Sequence, residues 1–552
     1  MRRVAMGAMA LASLSAYSSA SSVEECLTPS TFSVSKDYFP AAAGATVEEA
    51  RKFTIEYVQG YKVLTNLAGK RQYILYPCGA PEPDVTALTL PAGFQRRTLS
   101  VPAQKVVTAE TVSFDFLNLL QNDQTEMGVT DRLIALSPYS VDACAQKALA
   151  CSSNVMAPGL GAAVPGWGAK VEEYDALMKE AGVYFDYSES YKGTEKDKSV
   201  VFSATSETSL LGRGEWIKFA GAFFNLDGVA EQKFDEMREK YYELSDAAKG
   251  ENDVRPKVSF IDIDTFSDKV VDYFGISVAG YKRSAVLDAG GWIANVEDFV
   301  GAPGVSFTTR MSGARWAVPK AAGEERDAAI KAFTAQLADT DILIDERYSA
   351  SVLTRDAALA AYGLTGDDVS FPFIKNGKVF RQDKTGSATG SAWFETGVSR
   401  PDVVLMDFIK VIQPTTSLVS KHNTVFLRDL FKGETKQVLT AAECTRAFPV
   451  CGLALTDKAA AICPSDAFKS CSDGSKVFLS ASSGCTKYAS CPIKSMILNE
   501  ITGLDTDSTV ILAVFMSCAG LLLIACGFMW GKKRAAARAS PGGLAAGGAS
   551  MH

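Results

Sequence analysis

The sequence predicts an α/β fold of two lobes joined by one long helix, followed by a cysteine-rich segment and a single apolar span. Three observations carry this. Short β-rich runs alternate with amphipathic stretches in two successive series, the pattern of a mainly parallel sheet flanked by helices. Between the series, Phe234, Met237, Tyr241 and Leu244 recur at helical spacing, with charges on the opposite face. Beyond the second series, six cysteines crowd between Cys444 and Cys491, ahead of 22 uncharged residues from Thr509 to Trp530.

The chain opens with MRRVAMGAMALASLSAYSSASS, two arginines before a modest apolar run and then small residues, so residues 1–20 read as a secretory signal peptide. The first lobe is expected over 21–227. FTIEYVQGYKVLTNL and RQYILYP form an opening antiparallel pair, and QKVVTAE a buried strand. TVSFDFLNLL is a helix capped by Thr111 or Ser113. VYFDYS and SVVFSAT repeat the strand signal around helical AKVEEYDALMKEAG. TSLLGRGEWIKFAGAFFN, residues 208–225, lacks a phosphate-loop pattern; it reads as a strand-to-helix junction with Trp216, Phe219 and Phe223 on a buried face.

Residues 228–250 are the inter-lobe helix, and 251–430 the second lobe. The latter has strands KVSFIDID and DILIDE and helices YKRSAVLDAG and EERDAAIKAFTAQLA. A strand pair in FPFIKNGKVFRQD turns at Asn376-Gly377, and the helix PDVVLMDFIKVI is opened by Pro401. Residues 431–506 form a disulfide-rich membrane-proximal segment. The span at 507–530 is long enough for a ~30 Å hydrocarbon core. Lys532, Lys533, Arg534 and Arg538 follow it and mark 531–552 as a cytosolic tail. A single-pass type I protein of the plasma membrane or an endomembrane is the expected arrangement.

Two of the twelve cysteines lie in the span. Cys26, Cys78, Cys144, Cys151, Cys444, Cys451, Cys463, Cys471, Cys485 and Cys491 are the disulfide candidates of an oxidising compartment. The last six lack a paired Cys-x-x-Cys zinc pattern and are expected to form three disulfides among themselves, with the pairing open.

Composition narrows the chemistry. A net charge of -7 disfavours nucleic acid. Two histidines, His422 and His552, leave no room for a histidine triad or a histidine zinc cluster, and no catalytic signature is present. An enzyme is not expected, nor a resident cofactor or metal. Asp262 and Asp264 share a strand face but read as a solvated edge. Trp167, Trp292, Trp316 and Trp393 sit in Gly/Ser/Ala-rich contexts rather than periodic stripes, as binding-loop aromatics do.

The series FTIEYVQGYKVLT, KVVTAE, ETSLLGRGEWIKFAGAFFN, VLDAGG, FPFIKNGKVF and WFETGVSRPDVVLMDFIKVIQP, spanning roughly 50–430, resembles the helical-backbone substrate-binding proteins of bacterial ABC importers. That resemblance implies a two-lobed periplasmic-binding-protein-like fold and a ligand among ferric siderophores, haem and vitamin B12. The added stalk, span and tail are similar to those of algal and diatom cobalamin acquisition proteins, and of an algal siderophore-binding receptor. The function it implies is capture of cobalamin in the cleft between two lobes. The alternatives are a ferric siderophore receptor, or an adhesion or signalling ectodomain on the same fold. A transporter or endocytic partner would take the ligand onward.

A ligand between lobes meets loops at the carboxyl ends of strands. The candidate ligand-binding residues there are Glu110, Thr111, Tyr139, Trp167, Ser206, Glu207 and Phe266. Trp393, Phe394 and Glu395 join them from the end of the second lobe.

Overall fold

The computed structural model describes residues 26–444 except 29, 121–128, 153–161, 164–170, 189–192, 251–254, 309–312, 348, 350, 351 and 389. It also describes two short strands further on. The predicted signal peptide, span and tail, Trp167, and Cys451, Cys463, Cys471, Cys485 and Cys491 lie outside the described residues, as does the side chain of Cys151. No helix among the described residues is long and apolar enough to cross a membrane.

The first half opens on a four-stranded sheet, β1 (Phe53–Val58), β2 (Tyr61–Asn66), β3 (Arg71–Pro77) and β4 (Gln95–Val101). FTIEYVQGYKVLTNL is therefore two strands, not one. Val58 pairs with Tyr61, and Gly60 in the two-residue turn takes a left-handed φ of 89°, which glycine adopts without steric cost. A parallel five-stranded sheet follows, ordered β7-β6-β5-β8-β9. Its strands are β5 (Val106–Thr108), β6 (Leu133–Leu136), β7 (Ala162–Ala163), β8 (Val183–Asp186) and β9 (Ser199–Val201). Three helices connect them: α1 (Thr111–Leu120), α2 (Ala143–Ser152) and α3 (Val171–Glu180). The cap of α1 differs from expectation. Glu110, rather than Thr111 or Ser113, accepts hydrogen bonds from the N–H groups of Val112 and Ser113, both at 2.7 Å.

The Gly-Arg-Gly stretch makes two short helices, α4 (Leu210–Gly214) and α5 (Trp216–Ala222). Ser209 caps α4 by accepting from the Gly212 N–H at 3.0 Å. Gly214 lets α4 meet Pro401 closely: a Cβ there would lie 2.8 Å from the proline ring. Trp216 packs against Phe53 and Phe202 with ring centroids 4.9 and 5.3 Å apart. This stretch also anchors the chain that precedes β1. Glu215 accepts from the N–H groups of Glu48, Glu49 and Ala50, and the buried Lys218 neutralises it at 2.9 Å.

The long helix α6 runs Asp227–Gly250, about 36 Å at 1.5 Å per residue. Ala230, Phe234, Met237, Tyr241, Ser245 and Ala248 form its buried stripe.

The second half is built on a seven-stranded mixed sheet. It comprises β10 (Val258–Asp264), β11 (Val271–Ser277), β12 (Val305–Thr308), β13 (Gly313–Pro319), β14 (Ile342–Asp345), β15 (Val379–Arg381) and, after the short β16 (Thr385–Gly386), β17 (Arg428–Asp429). The order is β12-β13-β11-β10-β14-β15-β17. Only β10, β14 and β15 pair in parallel; β11, β12 and β13 fold back antiparallel, against the expectation of a mainly parallel sheet. The helices are α7 (Gly280–Asp288), α8 (Glu324–Thr334), α9 (Arg355–Ala360), α10 (Pro372–Lys375), α11 (Thr396–Ser399) and α12 (Pro401–Ile412). The segment before Asn376-Gly377 is the helical turn α10, not a strand, because Pro372 sits at its first position. Helix α12 has Pro401 at its start as expected, and it packs along α6.

One hydrophobic core extends from Tyr38 to Leu427 and draws on both halves; a second, around Phe274, Trp316 and Phe333, lies within the second half. Trp316 and Trp393 are core residues, 1% and 4% exposed, which corrects their reading as loop aromatics. Two disulfides close the described chain, Cys26–Cys78 and Cys144–Cys444. Cys444 therefore pairs 300 residues back, onto α2, and not within the cysteine-rich segment. The strands Phe468–Ser470 and Lys476–Phe478 form an antiparallel pair in a separate compact unit.

Candidate ligand cleft

Two segments meet at the centre of the chain, the β9–α4 connection and the turn from β11 into α7. Their approach is close. A Cβ on Gly280 would lie 2.8 Å from the Thr208 carbonyl oxygen, and the Leu210 N–H donates to Ser284 Oγ at 3.2 Å. Above this floor opens a cavity of about 460 Å³, within the size range of small-molecule sites. The first half supplies Thr205, Ser206, Glu207, Thr208 and Arg213. The second half supplies Ser277 and Ala279 to Lys282 at the β11–α7 turn, Asp262 on β10, Glu346 after β14, and Phe394.

Most of the charges here are already engaged. Glu207 accepts from the N–H groups of Arg51 at 3.0 Å and Lys52 at 2.7 Å, and from Trp216 Nε1 at 3.2 Å. Arg213, 9% exposed, donates to the carbonyls of Glu207 at 3.3 Å and Thr205 at 2.9 Å. Its guanidinium lies 3.4 Å from the centroid of the Tyr281 ring, a cation–π stack that bridges the two segments. Lys282 donates to Ser277 Oγ at 2.8 Å and is ion-paired with Glu346. Asp262 is pushed up to about 6, by burial first and then by Glu346 and Asp345.

The predicted site residues divide between two places. Ser206, Glu207 and Phe394 line the cavity, and the Phe394 ring is 57% exposed. Glu110, Thr111, Trp393 and Glu395 gather at a joint between the halves. There Glu395 accepts from the Val141 N–H, the Thr111 hydroxyl hydrogen-bonds Glu395, and Trp393 packs on Phe408 and Phe426. Tyr139 is exposed on the loop before Val141, its carbonyl facing Gly390. Phe266, 80% exposed, sits on the β10–β11 connection rather than on the cavity wall. Sequence reasoning missed the whole 277–282 turn. The signal was present: a β-rich run ending at Ser277 and a helix opening at Gly280.

Chemically, the cavity is a polar cup with one exposed aromatic wall. It offers hydroxyls, a carboxylate and ring faces, and no grouping of three or more His, Cys, Asp or Glu side chains that would hold a metal among the described residues.

Fold and cleft together describe a mixed α/β chain of two halves with a polar cavity lined from both. No protein-family model matches the sequence, and no curated protein does. Solved structures similar to it include a periplasmic binding protein from Veillonella parvula, 14% identical, covering 57% of this chain and 92% of that one at a TM-score of 0.37. A periplasmic heme binding protein from Pseudomonas aeruginosa is 12% identical over 61% of this chain and 99% of its own, TM-score 0.37. The FhuD protein from S. pseudintermedius is 14% identical over 56% and 91%, TM-score 0.34.

Proposed function

We propose that this chain is an exported capture receptor that holds a small molecule in the cup between its halves for uptake, and that it is not an enzyme. The observation that carries the reading is the cavity itself, walled from both halves by hydroxyls, charges and the exposed Phe394 ring. Two disulfides among the described residues agree with an oxidising compartment. The order of sequence motifs noted above supports the same class. Cobalamin is the proposed ligand: its corrin face suits the exposed Phe394 ring, and its peripheral amides suit Ser206, Thr208 and Asp262. A ferric siderophore is the second reading, favoured by the hydroxyls of Thr205, Ser206, Thr208 and Ser277 on the wall, which suit the oxygen donors of an iron chelate. Retention in a membrane through 507–530, and handover to a separate transporter or endocytic partner, are parts of the same proposal. Calorimetric titration of the full chain in detergent with cyanocobalamin and with ferric siderophores tests it. Sub-micromolar saturation by one ligand class is expected; no heat with any of them sinks the receptor reading.

A further inference from the structure

Charge in the cup is unevenly answered. Two cations, Arg213 and Lys282, face three carboxylates, Glu207, Asp262 and Glu346. Glu207 is held by two backbone N–H groups and an indole, and Glu346 by Lys282. Arg213 is turned onto two carbonyls and the Tyr281 ring. Asp262 is left. Among the described residues no side-chain donor bonds to it; it has the backbone N–H of Ile263, and Lys282 acts on it only through space. A half-buried carboxylate on a cavity wall, with one backbone donor and no side-chain donor, keeps acceptor capacity that a ligand must satisfy when it displaces water from the cavity.

We propose that Asp262 selects the ligand class: the cup takes a neutral or cationic molecule that presents N–H or O–H donors to Asp262, and it rejects molecules that bring carboxylate or catecholate anions there. This rests on the receptor reading above. An anion placed beside Asp262 adds like charge in a partly desolvated site whose lining already holds three carboxylates against two cations, whereas an amide, hydroxyl or ammonium completes the carboxylate's hydrogen bonding. The two cations do not reverse this, because their own hydrogen bonds and stack would have to break first. The raised pKa of Asp262 has the same origin: its negative charge lacks a close partner.

The test uses the full chain in detergent at pH 7.5 with three probes of different charge. These are cyanocobalamin (neutral, amide-rich), ferrioxamine B (a cationic ferric hydroxamate) and ferric enterobactin (an anionic ferric catecholate). The native chain is expected to bind one or both of the first two and to bind the catecholate at least about tenfold more weakly. Asp262→Asn should weaken the donor-bearing ligand about tenfold and narrow its margin over the catecholate. Glu346→Gln, which frees Lys282 to answer Asp262, should narrow the margin as well without touching Asp262. Unfolding midpoints of both variants report whether they fold. Tightest binding of the catecholate by the native chain, or an unchanged margin in both folded variants, overturns the assignment and leaves the receptor reading standing. Binding of none of the probes removes both.

Discussion

Glu395 accepts a hydrogen bond from the backbone N–H of Val141 at 2.8 Å, joining positions 254 residues apart. One helical turn on, Asp115 on α1 accepts from Thr396 Oγ1 at 3.1 Å and from Ser399 Oγ. Buried carboxylates thus fasten the 392–399 segment of the second half to the first, and Phe394, between them, faces the cup. Burial, the largest cause in each case, pushes Glu395 up to about 9, Glu110 to about 7 and Asp115 to about 6; Asp115 and Glu110 add like charge to Glu395, and Asp142 to Asp115.

The joint should therefore be sensitive to pH. A carboxyl whose folded pKa is raised contributes stability that is fully present below its unfolded value and is lost as pH rises through the folded value. For these three groups the loss begins near their unfolded values, at about pH 4, and runs to about pH 9. Glu395→Gln keeps an oxygen for the Val141 N–H and removes the titration. The variant is expected to be more stable than the native chain at pH 8.5, on the order of 1–3 kcal/mol, and about equal to it at pH 4.5. Urea unfolding at the two pH values decides; an equal difference at both shows that Glu395 does not titrate in this window.

The stack of Arg213 on Tyr281 calls for a planar cation. Lysine has the charge but neither the plane nor the fork that reaches the carbonyls of Thr205 and Glu207. Arg213→Lys is expected to cost about 1–3 kcal/mol of stability and to loosen the cup floor. Denaturant unfolding measures the first effect. Faster hydrogen exchange at residues 205–213 and 277–284 measures the second, and native exchange rates there would return the stack to decoration.

Much of the scaffold could be read from residue order. Helix α6 announces itself by Phe234, Met237 and Tyr241, and the Trp216, Phe219, Phe223 face of the Gly-Arg-Gly stretch is buried as its spacing implies. Trp316 was legible in principle. Ala314, Trp316 and Val318 alternate on the core face of β13, a period-2 signal masked by the surrounding Gly and Ala. The site was less legible, for a physical reason. A carboxylate at the end of a strand can face a ligand, cap a helix or cross to another segment, and only the tertiary approach chooses. Glu110 caps α1, Glu395 crosses to Val141, and Glu207 anchors Arg51 and Lys52, while Asp262, which looks like a solvated strand edge, faces the cup.

Gly214 is a packing position. A methyl group there would press to 2.8 Å from Pro401, the residue that starts α12. Gly214→Ala should cost about 1–3 kcal/mol, in spite of alanine's better helix propensity, because the atoms it would press on belong to a proline ring fixed to the α12 backbone rather than to the end of a flexible side chain. A thermal midpoint at or above that of the native chain would show that the contact relaxes.

The disulfide between Cys144 and Cys444 ties the start of α2 to the end of the described first unit. Lys147 Nζ, one turn along α2, also donates to the Cys444 carbonyl at 3.2 Å, and Gln146 Nε2 donates to the Leu439 carbonyl at 3.1 Å. The closing segment is therefore held by polar contacts as well as by the covalent link. Non-reducing proteolysis should release one cross-linked peptide carrying Cys144 and Cys444, separate from the peptide carrying Cys26 and Cys78. A Cys144→Ser, Cys444→Ser double variant is expected to lose about 2–5 kcal/mol, the usual range for a native bridge. Because Gln146 and Lys147 remain, residues 437–444 should stay protected from proteases under native conditions. Rapid cleavage there in the double variant would mean that the bridge alone holds the segment down.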